Sequence, residues 1–541
     1  MQGKTALMAA VAVIALVGSS DAGLAKMKHH GSTAASSSPP QSSPSNGPTN
    51  AELADRLSAL EAELAAERDA RTTDHTRLSG LEQGFNDVVW TFDNGRPTIK
   101  SGDGRFSMSI RARFQSDFAG FMQDKIHPAG FAGPTDLSSG AVVRRGYFGV
   151  EGVAYRDFAY ELRLNVGGSD GGSAGASGVP TAGEGDPLLN KAVITYTGIP
   201  HWHLNVGVIE PALMFEGTTS SAALIFLERP EIDNIAADSF GAGDSRRGVE
   251  VGWQKIDTLW SGDNLAVTMA FTGNKTGSAG NHGNGGDENS QILGRISERL
   301  WTDGARSNIQ IGASGGNVLY SGSGTNGASQ TLRFRDRPEI RVDGTRLIDT
   351  NGVPAKTGHF FAADAGGNWE NFFLGGEWAQ FTADRQCGVL VTLTCTSALA
   401  VADHPSFSGW YVEASWILTG EAKTYSPGAI NNEVGGFNAP VPSRPFSFDG
   451  DSWGAWELAA RYSDTDLNWN ATQVLVPGVH LAGITGGEER IVAVALNWYL
   501  NRNVRLMIDD NIVTVKKGTA TILNRDGQNM NIVGVRLQFA N

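Results

Sequence analysis

Arginine and carboxylate side chains recur at every second residue in several stretches of this chain. Arg111 and Arg113 are two apart, as are Glu161 and Arg163, and Glu413, Glu457, Arg461, Arg505 and Arg536 stand in similar company further on. A guanidinium grips phosphate or carboxylate oxygens through two parallel hydrogen bonds, so such rows could gather anions. They could equally pair across neighbouring strands and brace a wall. The six arginines Arg111, Arg113, Arg163, Arg461, Arg505 and Arg536 stand against Asp117, Glu161, Glu413, Glu457 and Asp509, so the charge is near balance. His201 and His203 have the same spacing, but no His or Cys is placed to complete a metal set, and polar residues starting a strand after Pro200 are the simpler account. No metal and no cofactor is expected. The chain has no H-E-x-x-H and no phosphate-binding loop, so no enzyme is expected either.

The elements that carry these rows read as long β-strands. Phe106, Met108, Ile110, Ala112, Phe114 and Phe118 fall on one face of the first, with Arg111, Arg113, Gln115 and Asp117 on the other. Phe158 to Val166, Trp410 to Leu418, Trp456 to Tyr462, Val492 to Leu500 and Val533 to Phe539 repeat the alternation. The strands run to about ten residues, the length of a tilted membrane strand. Trp and Tyr sit near strand ends, as interfacial girdles require. Charged residues within the strand suit a water-filled lumen better than a packed interior. Only a closed barrel satisfies every backbone group in hydrocarbon. The expected fold is all-β: an antiparallel transmembrane β-barrel over residues 99–541, preceded by a short α-helical coiled coil. At roughly 27 residues per strand and connection, that length allows about 16 strands, enough for an aqueous channel. The Gly-rich stretches Gly167–Gly185 and Gly273–Gly286 read as long extracellular loops.

The amino-terminal part is built differently. Lys4, an apolar run from Leu7 to Val17 and small residues after it read as an export signal over residues 1–25, cleaved after Ala22 or Ala25. Residues 26–50 are a Ser/Pro-rich flexible linker. In residues 51–84, Leu53, Leu57, Leu60 and Leu64 alternate four and three apart, and the register passes through Glu67, Arg71 and Asp74 to Leu78 and Leu81. That spacing predicts a coiled coil with a polar middle; the other reading is one amphipathic helix on another surface. Export would place Cys387 and Cys395 in an oxidising compartment, where a disulfide could add roughly 3 kcal/mol in the chain-entropy model; two free thiols are the alternative. The net charge of −14 argues against a nucleic-acid partner.

Several motifs go beyond barrel patterning. They are Arg144-Arg145-Gly146-Tyr147-Phe148-Gly149-Val150-Glu151-Gly152; Gly207-Val208-Ile209-Glu210-Pro211 with Thr219-Ser220-Ser221 and Phe226-Leu227-Glu228-Arg229; Arg246-Arg247-Gly248-Val249; Gly409-Trp410 through Gly420-Glu421; Trp453-Gly454 through Arg461-Tyr462; and Asn497-Trp498-Tyr499-Leu500-Asn501. Together and in this order they resemble the phosphate-selective porin O/P family. The resemblance implies a trimeric, 16-stranded outer-membrane channel for passive diffusion of small, phosphate-like solutes, with any coiled coil in the periplasm. Outer-membrane lipid and small anions are the partners it implies. A structural anchor tethered to the cell wall through the coiled coil is the other function class. In the family, selectivity rests on lumen Arg and on Lys clusters in loops; here Lys516-Lys517 is the only adjacent Lys pair. Arg144 and Arg145 are neighbours, so alternation expects only one of them inside the lumen.

Overall fold

The computed structural model describes residues 49–93, 95–124, 136–167, 189–275, 289–321, 330–386, 402–428, 435–473, 482–517 and 528–541. The expected signal, nearly all of the linker, most of the two Gly-rich loops and both cysteines lie outside these residues.

Thr49 opens the first helix, α1 (Asn50–Asn86). The Thr49 backbone N–H donates to Glu52 Oε2 (2.9 Å) and the Glu52 N–H to Thr49 Oγ1 (3.3 Å), a reciprocal capping box. Leu53, Leu57, Leu60, Leu64, Leu78 and Leu81 are all exposed on it, and Arg71 pairs with Glu67 at 2.7 Å.

Sixteen long strands then form one antiparallel sheet that closes on itself. They are β1 (Ser107–Gln123), β2 (Gly140–Ala154), β3 (Phe158–Asn165), β4 (Leu189–Tyr196), β5 (Trp202–Ile209), β6 (Arg246–Ile256), β7 (Asn264–Lys275), β8 (Ser290–Thr302), β9 (Ser307–Tyr320), β10 (Val353–Trp369), β11 (Phe372–Gln386), β12 (Ser406–Ile417), β13 (Ala455–Trp469), β14 (Ile484–Tyr499), β15 (Val504–Lys516) and β16 (Gln528–Ala540). The β16–β1 pair seals the ring, with Phe539 opposite Phe114 and Val535 opposite Phe118. Asn541 extends the seal: its Oδ1 accepts the Ala112 N–H at 2.7 Å and its own N–H donates to Ala112 O at 3.1 Å. A hairpin, Val88–Asp93 with Arg96–Ser101, pairs with the start of β1.

Alternation holds around most of the ring, with a break in β2 at Arg144-Arg145. Phe114, Trp416, Leu458 and Leu537 are exposed on the outside, while Arg113, Glu161 and Arg461 point inward. Six tight turns join strands at one end, and long loops join them at the other. A wide, water-filled polar lumen would follow from alternation alone. Instead three connections fold into the barrel. Two come from the long-loop end, residues 210–245 and, of the connection 321–352, the described residues 330–352. The third connection, 418–454, enters from the tight-turn end with its described residues 418–428 and 435–454. They bring an apolar core inside the barrel. Phe240, at the end of α2 (Glu231–Phe240), meets Phe360 at 4.9 Å and lies 6.1 Å from Phe334 and Phe381, and Phe334 meets Phe407 at 5.3 Å. Small lumen residues make room. Ala362, Ala379, Ala383 and Ala493 are fully buried, and a Cβ on Gly366 or Gly375 would overlap the Phe215 ring. From the other end, Phe437 packs edge-on against Phe373 at 5.1 Å and Phe215 at 6.2 Å.

Candidate functional site

The infolded loops leave a cavity of about 160 Å³ between the inner faces of β1–β4 and loops 210–245 and 321–352. Ten arginines line it: Arg111, Arg113, Arg144, Arg145, Arg163, Arg229, Arg335, Arg337, Arg341 and Arg346. Five acids join them, Glu210, Asp233, Asp238, Asp244 and Asp336, so the lining carries excess positive charge. No lysine contributes.

Arg111 and Arg113 project from β1, two residues apart. Arg111 spends its charge on Glu151 (2.9 Å) and Glu161 (3.2 Å). Arg113 is held by hydroxyls, Ser221 Oγ at 2.5 Å and Ser220 Oγ at 2.9 Å, both from loop 210–245. Those neutral acceptors aim the guanidinium without cancelling it. Tyr147 stands between two cations, with Arg163 at 4.9 Å and Arg113 at 5.5 Å from its ring. Arg163 is tied to Glu210, Glu161 and Asn190.

Both Arg144 and Arg145 lie inside, against the expectation from alternation. The β1–β2 register slips between Gln115↔Arg145 and Ser116↔Val143, so Arg144 is the extra residue of a β-bulge. Each reaches Glu228, Arg144 Nε at 2.8 Å and Arg145 Nη2 at 3.6 Å. Arg536 (2.8 Å) and Arg341 (3.5 Å) reach the same carboxylate. Burial pushes the Glu228 carboxyl up, but the guanidinium groups of Arg144, Arg145, Arg536 and Arg341 outweigh it and hold it well below the usual carboxylate range. Asp233, in α2, goes the other way. Burial, and then the charge of Glu216, push it up to about 8.

The remaining sequence candidates face inward but away from this cavity. Arg461 pairs with Glu339, lies 3.7 Å from Glu413 and stacks on Phe226 at 4.2 Å. Arg505 donates to Leu224 O (2.7 Å), Arg536 grips Asp117 (2.6 Å), and Glu457 accepts from Tyr499 Oη (2.6 Å) beside Lys423 (3.4 Å). The contacts of Arg461, Arg505 and Lys423 fix infolded segments to the wall, and Arg536–Asp117 and Glu457–Tyr499 tie neighbouring strands together. Lys516 lies by Glu488 at 3.9 Å, and Lys516-Lys517 is not part of the lining. His203 faces Glu250 at 3.8 Å, and His201 sits in the preceding turn with φ 69°. Among the described residues no group of three His, Cys, Asp or Glu side chains could hold a metal ion.

Reading for lysines missed the main source of loop charge. Arg335, Arg337, Arg341 and Arg346 come from one stretch, Arg333-Phe334-Arg335-Asp336-Arg337 onward, whose alternating arginines were visible in the sequence.

A closed sixteen-strand ring, with a charged inner face and loops folded into it, matches a known family model. Residues 108–540 fit the model described as "Phosphate-selective porin O and P". The chain belongs to that family. The porin is 24% identical over 446 residues to Porin O of Pseudomonas aeruginosa, covering 79% of this chain and 87% of that one. It is also 24% identical over 463 residues to an uncharacterized protein of Caulobacter vibrioides, covering 84% and 77%. Among solved structures, the porin resembles an anion-selective porin from Comamonas acidovorans, with TM-score 0.44, 11% identity, and 81% and 100% coverage. It also resembles OmpT of Vibrio cholerae in a trimer form, with TM-score 0.41, 8% identity, and 81% and 99% coverage. By its family the porin is an outer-membrane barrel of the channel-forming kind. Its tight-turn end is the periplasmic one by the general rule for such barrels.

Proposed function

We propose that this porin lets small anions, phosphate-like oxyanions among them, diffuse passively into the periplasm along the arginine-lined side of its lumen. The observation that carries this reading is the lining of ten arginines and five acids, with Arg113 hydrogen-bonded to hydroxyls. Loop acids elsewhere contribute to the net charge of −14, but water screens them over roughly 8 Å at physiological salt, so charges at the narrow point decide. The test is single-channel recording across a salt gradient. The expected reversal potential is that of modest anion preference; a wild-type channel that prefers cations removes the reading.

The functional unit of this reading is a homotrimer. β3, β4 and β5 have eight residues each, whereas β10 has 17. Tilted at about 45°, eight residues rise only about 19 Å, less than the roughly 25 Å apolar band of such barrels. Leu162, Ile194, Leu204 and Val206 are exposed on this short wall, which a neighbouring copy would cover. The exposed Leu53, Leu57, Leu60 and Leu64 of α1 would pack on a shared periplasmic axis, after removal of a signal at residues 1–25. Deleting Ala51–Leu81 should weaken the trimer in native electrophoresis and leave the barrel folded. A deletion that abolished barrel folding would contradict this division of labour.

A further inference from the structure

The third infolded connection, residues 418–454, does not stay in the lumen. Its last part returns to the tight-turn end and forms a knuckle on the outer side of the barrel. The Phe446 N–H donates to Leu500 O (2.6 Å), next to the β14–β15 turn; the Ser447 N–H donates to Ser452 O (3.0 Å) and the Gly450 N–H to Ser447 O (3.3 Å). Gly450 has φ 84°, which lets the chain reverse there. The knuckle carries Phe446, Phe448 and Trp453. Phe446 packs on Phe448 (4.9 Å) and on Trp498 (5.1 Å), and Trp498 stacks on Trp456 at 5.1 Å with rings 13° apart. The Trp498 indole N–H donates to Trp453 O at 2.7 Å. Phe448 is 97% exposed and Trp453 66% exposed, although the fold holds both in place.

We propose that this knuckle docks into the headgroup and acyl boundary of the periplasmic leaflet, as a lipid-contacting foot beside β13 and β14. Three observations select lipid as the occupant. The aromatic cluster is continuous with Trp456 and Trp498, which lie on the outward face of the barrel at the tight-turn end, the level at which indole rings favour the interface. β13 and β14 lie on the opposite side of the ring from the short wall of β3–β5, so a neighbouring copy seated there does not reach them. Arg444, at the base of the knuckle, is exposed and able to meet lipid phosphate, while the exposed Asp449 and Asp451 keep the tip from sinking into hydrocarbon.

The test is Phe448→Trp in the full-length protein, reconstituted in phosphatidylethanolamine/phosphatidylglycerol vesicles, with heat-modifiable gel mobility as the folding control. The emission gained over wild type should lose most of its intensity when the lipids carry bromine on the acyl chains, and it should be blue-shifted. Gained emission quenched by aqueous iodide and untouched by brominated lipid would overturn the proposal, because the foot would then stand in water. Gained emission reached by neither quencher would also overturn it, because protein rather than lipid would then cover the site. If Phe448→Trp fails the gel control, Trp453→Phe supplies the same reading as a loss: emission lost from the wild type should be the bromine-quenched fraction.

Discussion

The two halves of the lumen carry the same side chains and use them in opposite ways. On the β12–β16 side, Arg461, Arg505 and Arg536 are buried and each is committed to a carboxylate or a loop carbonyl. On the β1–β4 side, Arg111, Arg113 and Arg163 border open space together with loop arginines. Along the strands the two sets look alike, as alternating charges opposite an apolar row. What separates them is where the infolded loops rest. A loop seated on the wall closes the space around a lumen arginine, and where the loops stand off, an arginine borders the cavity even when it is paired, as Arg111 and Arg163 are.

The largest effect should come from the packed half. Arg461→Ala leaves Glu339 and Glu413 buried without their cation, and breaking a buried pair in this way costs about 3–5 kcal/mol. Unfolding in urea should show that loss, while the reversal potential of the channels that remain folded stays put. A large selectivity change with unaltered stability would erase the distinction between the halves.

Glu228 spans the boundary, since one carboxylate serves Arg144, Arg145, Arg341 and Arg536. Glu228→Gln should cost about 1.5–3 kcal/mol through weakened charge-assisted hydrogen bonds. It also frees positive charge at the cavity, so anion preference should rise while the unfolding midpoint falls. Movement of the midpoint alone would make Glu228 a strut only.

Within the open half, the partners differ. Arg113→Gln and Arg111→Gln should each shift the reversal potential toward cations, the first by removing a charge held by hydroxyls and the second by releasing Glu151 and Glu161. The double variant should shift it furthest, with little change in stability. An unchanged potential in the double variant would place both residues among the braces.

A further test is a pH slope. An acid raised to about 8 in the folded chain binds more protons there than when unfolded, so Asp233 lowers stability as pH rises from about 4 to about 8, with no further loss above that. Asp233→Asn should remove that part of the slope in unfolding measured across this range. A slope of equal size in the variant would assign it to other groups.

Much of this architecture is local and therefore legible in the chain. A period of two with ten-residue runs specifies strands with an apolar outer face, because lipid and water impose opposite demands on successive side chains. Total length allows about 16 strands, and a Leu spacing of four and three with a Thr-x-x-Glu start specifies a helix at α1. Closure, and the inward direction of Arg113, Glu161 and Arg461, follow from the same alternation. Three things were not local. The bulge at Arg144 breaks the period at one residue, and only pairing with β1 reveals it. The apolar residues of loops 210–245 and 321–352 have no period to follow, so their burial inside the barrel depends on small residues such as Gly366 and Gly375 contributed by distant strands. Which lumen arginines border the cavity depends in turn on where those loops settle. That is a property of packing across the ring, and no single strand encodes it.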